Sequence, residues 1–478
     1  MKNISEALSS LNILDPHYPR PLVTDILEKP ENSDLLQYVY RDPFGAHVFP
    51  GDIDNYPVAK FFSDLNHTLK QNNPIHLWAY IPTCRYRCHF CQFPIVLVNP
   101  KDPKSRDMYA RVIDLNILEA KLWLQAVPYL ADVPIGEFNL FGGTPSLLPV
   151  EELERLLQFY RTHFNFSEAT LRIEGEPGSL TLPFLTAASR LGITKISFGV
   201  QSFSDEVIRS SGRMHNSQDC FEAVHNARMA GFEWISVDLI YGLRNQNVDL
   251  VRQDILKARE LNLEHLVCTK LHLEDFMKTR TGVSMQRPSF WQKKLQKKEE
   301  QPKTHLPSLG EQYQMREIID ELLLNDYNEH PNMYYYKKGA KPEKWKGIIT
   351  DQDKQFPEVA IGLGGSSKCR RSEAVNYTEF SDYENSVVNG KIPILSVKGI
   401  SPARQEIISF KMALSTCQPI LDEIHREKFN GNSFFNNKYI SNNLTDLNNK
   451  NLIVMNSNSV ELTRNGRILS EAILNKNL

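Results

Sequence analysis

Between residues 76 and 271 the chain alternates strand-length apolar runs with helix-length amphipathic stretches, and no other feature of the sequence restricts its fold as much. The runs His76–Ile81, Glu137–Phe141, Thr170–Glu174, Lys195–Val200, Trp234–Ile240 and His265–Leu271 read as strands. Between them Ser105–Ala126, Val150–Phe164, Leu182–Leu191, Gln218–Ala230 and Val248–Leu261 carry apolar residues at helical spacing. Strand then helix, repeated, predicts a parallel sheet, because a parallel neighbour is reached only through a long crossover. Six strands of this kind predict an α/β fold, a partial (β/α)6 TIM-like barrel. In such barrels the chemistry gathers at the C-terminal ends of the strands.

Directly after the first strand stands IPTCRYRCHFCQF, with Cys84, Cys88 and Cys91 in a C-x3-C-x2-C spacing. A loop in that position can wrap around an inorganic cluster, and cysteine thiolates are the usual ligands of iron–sulfur cubanes, four filling one. Three ligands leave one iron of a [4Fe–4S] cluster without a protein group. The amino and carboxylate groups of S-adenosylmethionine (SAM) can chelate that iron. Structural zinc is the competing reading, but it takes four ligands, commonly as two pairs, and there is no second pair. A disulfide framework fits no better, since the chain has 7 cysteines and three of them crowd into this run. Cys220, Cys268, Cys369 and Cys417 are scattered and read as small apolar residues.

Lys+Arg number 55 against Asp+Glu 57, so no global field draws in nucleic acid or an anionic membrane. With 41% hydrophobic and 23% charged residues the composition is that of an ordinary globular protein. The N-terminus lacks the apolar core of a signal peptide, and no window approaches the roughly 18 apolar residues of a membrane span. A reducing cytoplasm is the expected compartment, with neither membrane nor nucleic acid as partner.

The 478 residues divide by pattern into five parts. Residues 1–70 are rich in Pro and turn residues, with one helix near Val58–Gln71, and read as an N-terminal extension. Residues 71–290 form the barrel. Trp291–His305 is highly charged with both signs, which reads as a solvated linker at 291–310. Residues 311–398, with a helix at Glu311–Leu324, an aromatic strand at Asn332–Lys337 and a Gly-rich turn at Ile361–Ser367, complete the core. Residues 399–478 read as a small C-terminal helical or winged-helix-like domain.

With the cysteines in register, further motifs resemble the radical SAM proteins related to oxygen-independent coproporphyrinogen III oxidase, a group that includes heme-handling homologues and class C radical SAM methyltransferases. The resemblance runs from about Leu77 to Gly242 and returns more weakly at Ile361–Gly364, Asn376–Pro393 and Glu461–Arg467. It implies a barrel of the radical SAM type and a SAM site built from several strand ends. FNLFGGTPSLL resembles the family's GGGTP turn, placing Gly142, Gly143 and Thr144 against SAM, with Phe141 in place of the first glycine. LRIEGEPGSLT resembles the E-x-N-P run, placing Glu174 at the cofactor and Glu176 where the family has Asn. In ISFGVQSFSDEVIRSSGRMHN the resemblance implies Gln201 at the ribose and Arg213 paired with the SAM carboxylate. DLIYGL places Asp238 on SAM, and Arg244 follows where the family has Pro. Phe90 stands in the aromatic position beside the adenine. Trp78 replaces the family's Tyr, Tyr80 a His, Thr83 a Phe and Phe93 a further Cys. The last change argues against coproporphyrinogen decarboxylation. His215 reads as structural.

On this scaffold the leading expectation is a radical SAM enzyme that functionalises carbon of a small-molecule substrate, aromatic, sp2-carbon or porphyrin-like. Methyl or methylene transfer from a second SAM is its form. Coproporphyrinogen-type decarboxylation or other porphyrin chemistry is the alternative, and a heme-binding chaperone is another. Any of the redox readings needs an electron donor such as flavodoxin or ferredoxin.

Overall fold

The computed structural model describes residues 4–39, 51–71, 74–91, 93–271, 306–330, 332–340 and 357–475. The charged stretch Trp291–His305 and Trp345 lie outside them. The strands of the first half are β1 (Ile75–Ile81), β2 (Thr83–Cys84), β3 (Val96–Leu97), β4 (Ile135–Gly142), β5 (Thr170–Gly175), β6 (Lys195–Gln201), β7 (Trp234–Tyr241) and β8 (His265–Lys270). The second half adds β9 (Tyr327–Glu329), β10 (Tyr334–Lys337), β11 (Glu358–Ile361), β12 (Ser366–Lys368), β13 (Ser372–Asn376) and β14 (Ile394–Gly399).

All six expected strands form, with ends within two residues of the sequence reading. β1, β4, β5, β6, β7 and β8 are neighbours in that order, each pair parallel. They belong to a twelve-stranded sheet in the order β14-β13-β12-β11-β1-β4-β5-β6-β7-β8-β10-β9. The seventh parallel strand, β11, lies on the free side of β1, with His76 opposite Glu358. The remaining additions at both ends are antiparallel.

Alternation along each strand divides the side chains between two environments. Leu77, Ala79 and Ile81 of β1, Phe138 and Leu140 of β4 and Ile173 of β5 join the apolar core under the helices. The residues between them, such as Trp78, Tyr80, Asn139, Phe141, Arg172 and Glu174, take the opposite, concave face. The crossover helices Lys104–Ala126, Val150–His163, Leu182–Arg190, Ser217–Met229 and Val248–Glu260 close the convex side. Asn216 and Asn247 cap the last two of these by accepting from backbone N–H groups of the first turn. The helix Val58–Leu69 joins this layer, where Phe61 meets Trp123 edge to face at 6.2 Å.

A second core forms elsewhere. The short helices Ile4–Leu11, Thr24–Leu27 and Ser33–Leu36 contribute Ala7, Leu11, Leu27, Leu35 and Leu36 to it. They are too short to leave a periodic signature, and the sequence reading has only the helix near Val58 in this region. Their partners are Phe410, Leu414, Phe434, Leu444 and Ile473 of the C-terminal part. There the helices Pro402–Ser415, Asp422–Lys428 and Lys438–Asn449 surround a three-stranded antiparallel sheet. No helix among the described residues is long and apolar enough to cross a membrane.

Candidate functional site

The chain leaves β1 through Pro82 into β2, and the cysteine loop hangs between β2 and β3. Parallel pairing of Thr83 with Val96 and Cys84 with Leu97 closes the neck of the loop. Each cysteine is held or crowded at its own place. Cys84 Sγ lies 3.3 Å from Thr144 Oγ1. Cys88 Sγ accepts from Arg213 Nη1 at 3.3 Å. Cys91 donates its N–H to Cys88 O at 3.2 Å, forming a turn. His89 anchors the same segment to the chain after β6, through its N–H to Ser211 O at 2.9 Å and Nδ1 to Ser210 O at 2.9 Å.

The glycine turn serves this loop directly. The Gly143 and Thr144 amides donate to Ile81 O and Thr83 O at 2.8 and 2.7 Å. A Cβ on Gly143 would sit 2.6 Å from Thr83 O, so no other residue lets the turn pass this close. Gly142 has φ +116°, a second position that only glycine adopts without strain.

The three thiols are mutually close enough to influence one another. Burial pushes Cys84 up to about 11, while the Thr144 hydrogen bond and Arg213 pull back. Cys91 is pushed up to about 12, by burial first and then by the charge at Cys88. Thiolates are the ligand form, so a site with three crowded sulfurs in a low-dielectric place calls for a strongly positive group to hold them ionised. A cubane fits this demand, because each sulfur takes its own iron. Among the described residues no three His, Cys, Asp or Glu side chains converge tightly enough for a single metal ion.

Around the loop the strand ends present the other expected residues. Arg213 spans three partners, Cys88, Gly199 O at 2.9 Å and His215 Nδ1 at 3.3 Å. His215, pushed down to about 3 by burial and by Arg213, is neutral and orients that guanidinium. Gln201 ends β6 in a left-handed conformation, φ 69°, at a bulge in the pairing with β7. Its Oε1 is buried without a partner, an acceptor left open in a costly backbone geometry. Burial pushes the Glu174 carboxyl up to about 8, with Arg172 opposing and Asp238 adding. Asp238 is raised as well, by burial, while Arg172, Ser197 and Arg213 oppose. Phe90 packs against Val207, Leu243 and Leu271 beyond β7.

Phe141 gathers an aromatic nest. Its ring meets Trp78 at 5.2 Å, Tyr80 at 5.3 Å and Phe93 at 5.1 Å, every pair near perpendicular. These are four of the positions where the sequence departs from the family pattern around β1 and β4, and all of them meet at Phe141.

The structure therefore brings Cys84, Cys88, Thr144, Gly143 and Arg213 into contact around the loop, and Glu174 beside Asp238. Trp78 joins the nest and Phe90 the far wall. Sequence reasoning missed Arg172, which lies 3.4 Å from Glu174, and the grip of Glu176 on Arg85 and Tyr86. The available signal for the second was a carboxylate in place of Asn opposite a loop carrying Arg and Tyr.

Residues 78–257 match the family model of the radical SAM superfamily. The heme chaperone HemW of Bacillus subtilis is 24% identical over 399 residues, 83% of this chain and 97% of that protein. The oxygen-independent coproporphyrinogen III oxidase of Helicobacter pylori is 24% identical over 464 residues, 91% of this chain and 95% of its own. HemW of Lactococcus lactis is 30% identical over 203 residues, and there the match spans 50% of the relative. Among solved structures, coproporphyrinogen III oxidase (HemN) from Escherichia coli superposes with a TM-score of 0.73 at 17% identity, over 92% of this chain and 98% of that one.

Proposed function

Starting from a chain whose residues 78–257 are a radical SAM domain, we propose that it holds a [4Fe–4S] cluster on Cys84, Cys88 and Cys91 and acts on a porphyrin-like tetrapyrrole. The single observation that carries the cluster reading is the loop in which three thiols, Thr144 and Arg213 meet. The tetrapyrrole is supported by the two relatives matched along most of the chain, one named for heme and one for coproporphyrinogen.

Once reduced and with SAM bound, a cluster held by Cys84, Cys88 and Cys91 would supply the one electron that cleaves the sulfonium C–S bond, leaving methionine and a 5′-deoxyadenosyl radical. The protein's own part is binding and orientation. Arg213 offers a planar fork to the SAM carboxylate. Glu174 and Asp238 accept from its amino group and ribose, and the open Oε1 of Gln201 takes a ribose hydroxyl. Gly142, Gly143 and Thr144 form the floor beneath the methionyl group, and Phe90 flanks the adenine. The nest of Trp78, Tyr80, Phe93 and Phe141 gives a flat ring an apolar surface beside the loop. Tyr80 and Phe93, which replace a His and a Cys, weigh against propionate decarboxylation and favour the heme-handling side of the group. A flavodoxin or ferredoxin is the proposed donor.

Anaerobic reconstitution decides among the readings. The expected result is four-iron absorption, lost on Cys88→Ala, and release of 5′-deoxyadenosine from SAM that responds to added tetrapyrrole. S-adenosylhomocysteine as co-product, independent of tetrapyrrole, would point instead to methyl or methylene transfer from a second SAM. Tight heme binding with no SAM cleavage would single out the chaperone. Bound zinc, or no metal at all, would overturn the cluster assignment.

A further inference from the structure

The three residues between Cys84 and Cys88 are Arg85, Tyr86 and Arg87, and two of them end on one carboxylate. One oxygen of Glu176 faces Arg85 Nη2, and the other accepts from the Tyr86 hydroxyl. Glu176 is only 4% exposed. A carboxylate that deep requires partners, and its partners are in turn fixed by it.

The base of the grip is stiff. Glu176 begins the turn Pro177–Ser179 after β5, and its carbonyl accepts from Ser179 N at 3.0 Å and Ser179 Oγ at 2.9 Å. Ser179 Oγ also meets Ser146 Oγ of the glycine turn at 2.5 Å. Arg85 reaches over this turn: a Cβ on Gly178 would sit 3.0 Å from its Nη2. On the other side the Tyr86 ring faces the Arg213 guanidinium at 6.0 Å, and Arg213 reaches Cys88. A line of contacts thus runs from the end of β5 through the first half of the loop to its second cysteine.

We propose that Glu176 is a positioning residue that locks the Cys84–Cys88 arm in its cluster-binding shape by gripping Arg85 and Tyr86 together. The proposal rests on the cluster reading above, but it concerns the shape of the loop and is measurable without iron. The Glu176 carboxylate ends on Arg85 and Tyr86, and it acts through these two side chains.

The test is thiol alkylation of the apo-protein, followed by mass spectrometry cysteine by cysteine, with iron uptake measured on the same variants. Cys220 and Cys268 are buried in the same domain and report on the fold. In Glu176→Ala the alkylation of Cys84, Cys88 and Cys91 is expected to rise several-fold while Cys220 and Cys268 stay shielded. Glu176→Gln, which keeps an acceptor for Tyr86 but loses the charge pair, should fall between. Iron bound after reconstitution should drop in the same order, with a broadened electron paramagnetic resonance signal from the clusters that form. If Glu176→Ala also uncovers the buried pair, Arg85→Gln and Tyr86→Phe decide from the partly exposed loop side. Loop thiols in those variants that react at the wild-type rate would overturn the proposal, as would normal iron uptake with an unchanged signal. A wild-type protein that takes no iron would refute the cluster reading alone and leave the alkylation result standing.

Discussion

Glu174 and Asp238 share the concave face with Arg172, and the balance between burial and charge there has a measurable consequence. Burial outweighs Arg172 at Glu174, so its carboxyl remains protonated up to about pH 8. A folded-state value above the ordinary one of about 4.3 means the folded chain keeps a proton that the unfolded chain has lost. That contribution to stability is therefore present at low pH and declines as pH rises from about 4 to 8. A SAM amino group or ribose hydroxyl donating to Glu174 would favour the anion and release the proton. SAM affinity is then expected to climb with pH below 8, with Glu174 contributing up to about tenfold per unit. Titration calorimetry from pH 6.5 to 9 checks this, with Glu174→Gln expected to bind more weakly and with a shallower slope. A slope unchanged in Glu174→Gln would show that Glu174 does not meet SAM. Arg213 offers a second test. Its three nitrogens reach three different partners, a span that a lysine ammonium does not cover, so Arg213→Lys should lower SAM affinity about tenfold or more in the same assay.

Between elements, a concentrated polar contact forms at Glu119 on the helix Lys104–Ala126. Its carboxylate accepts from Trp123 Nε1, the Gly362 N–H, Asn376 Nδ2 and the Tyr383 hydroxyl, at 2.8 to 3.1 Å. This ties the crossover after β1 to β11, β13 and the helix Phe380–Val388. Glu119→Leu strands four buried donors, each costing about 1–3 kcal/mol, and should lower stability in urea by several kcal/mol. Glu119→Gln keeps most acceptors and should cost far less. Burial pushes this carboxyl up to about 7, so the wild type should lose more stability than either variant as pH rises from about 4 to 7. None of these partners was visible in the sequence, for a physical reason. The strands and crossover helices are written in local period, and the cysteine spacing and strand-end motifs are contiguous, so both were legible. Glu119 meets Gly362 243 residues away, and Glu176 meets Tyr86 across 90. β11 is a four-residue run, too short to carry a period, and its place beside β1 depends on pairing that no window contains. The departures at Trp78, Tyr80, Phe93 and Phe141 were each legible singly. That they touch one another was not.

At the scale of the whole molecule, the two ends of the chain and the barrel meet at one buried ion pair. Lys270, at the end of β8, pairs with Glu471 of the last described helix and donates to Val39 O. Both side chains are nearly inaccessible, at 2% and 3%. Glu471→Ala leaves a lysine charge uncompensated and should cost about 3–5 kcal/mol in chemical denaturation. Replacing both, Lys270→Met with Glu471→Leu, should recover most of that loss; a double variant as unstable as the single one would show that the loss lies in packing instead. The pair lies at the edge of the core that Leu11, Leu27 and Leu36 share with Phe410, Phe434 and Ile473. These leucines are translated on the order of 400 codons before Phe410, Phe434 and Ile473, while Leu309 and Tyr313 of the same core come about a hundred codons sooner. At about 5–20 residues per second the segment waits roughly 20–80 s before its last partners exist. During that time part of its apolar face is open to whatever chaperone waits at the exit tunnel, and the core closes only when the C-terminal helices arrive.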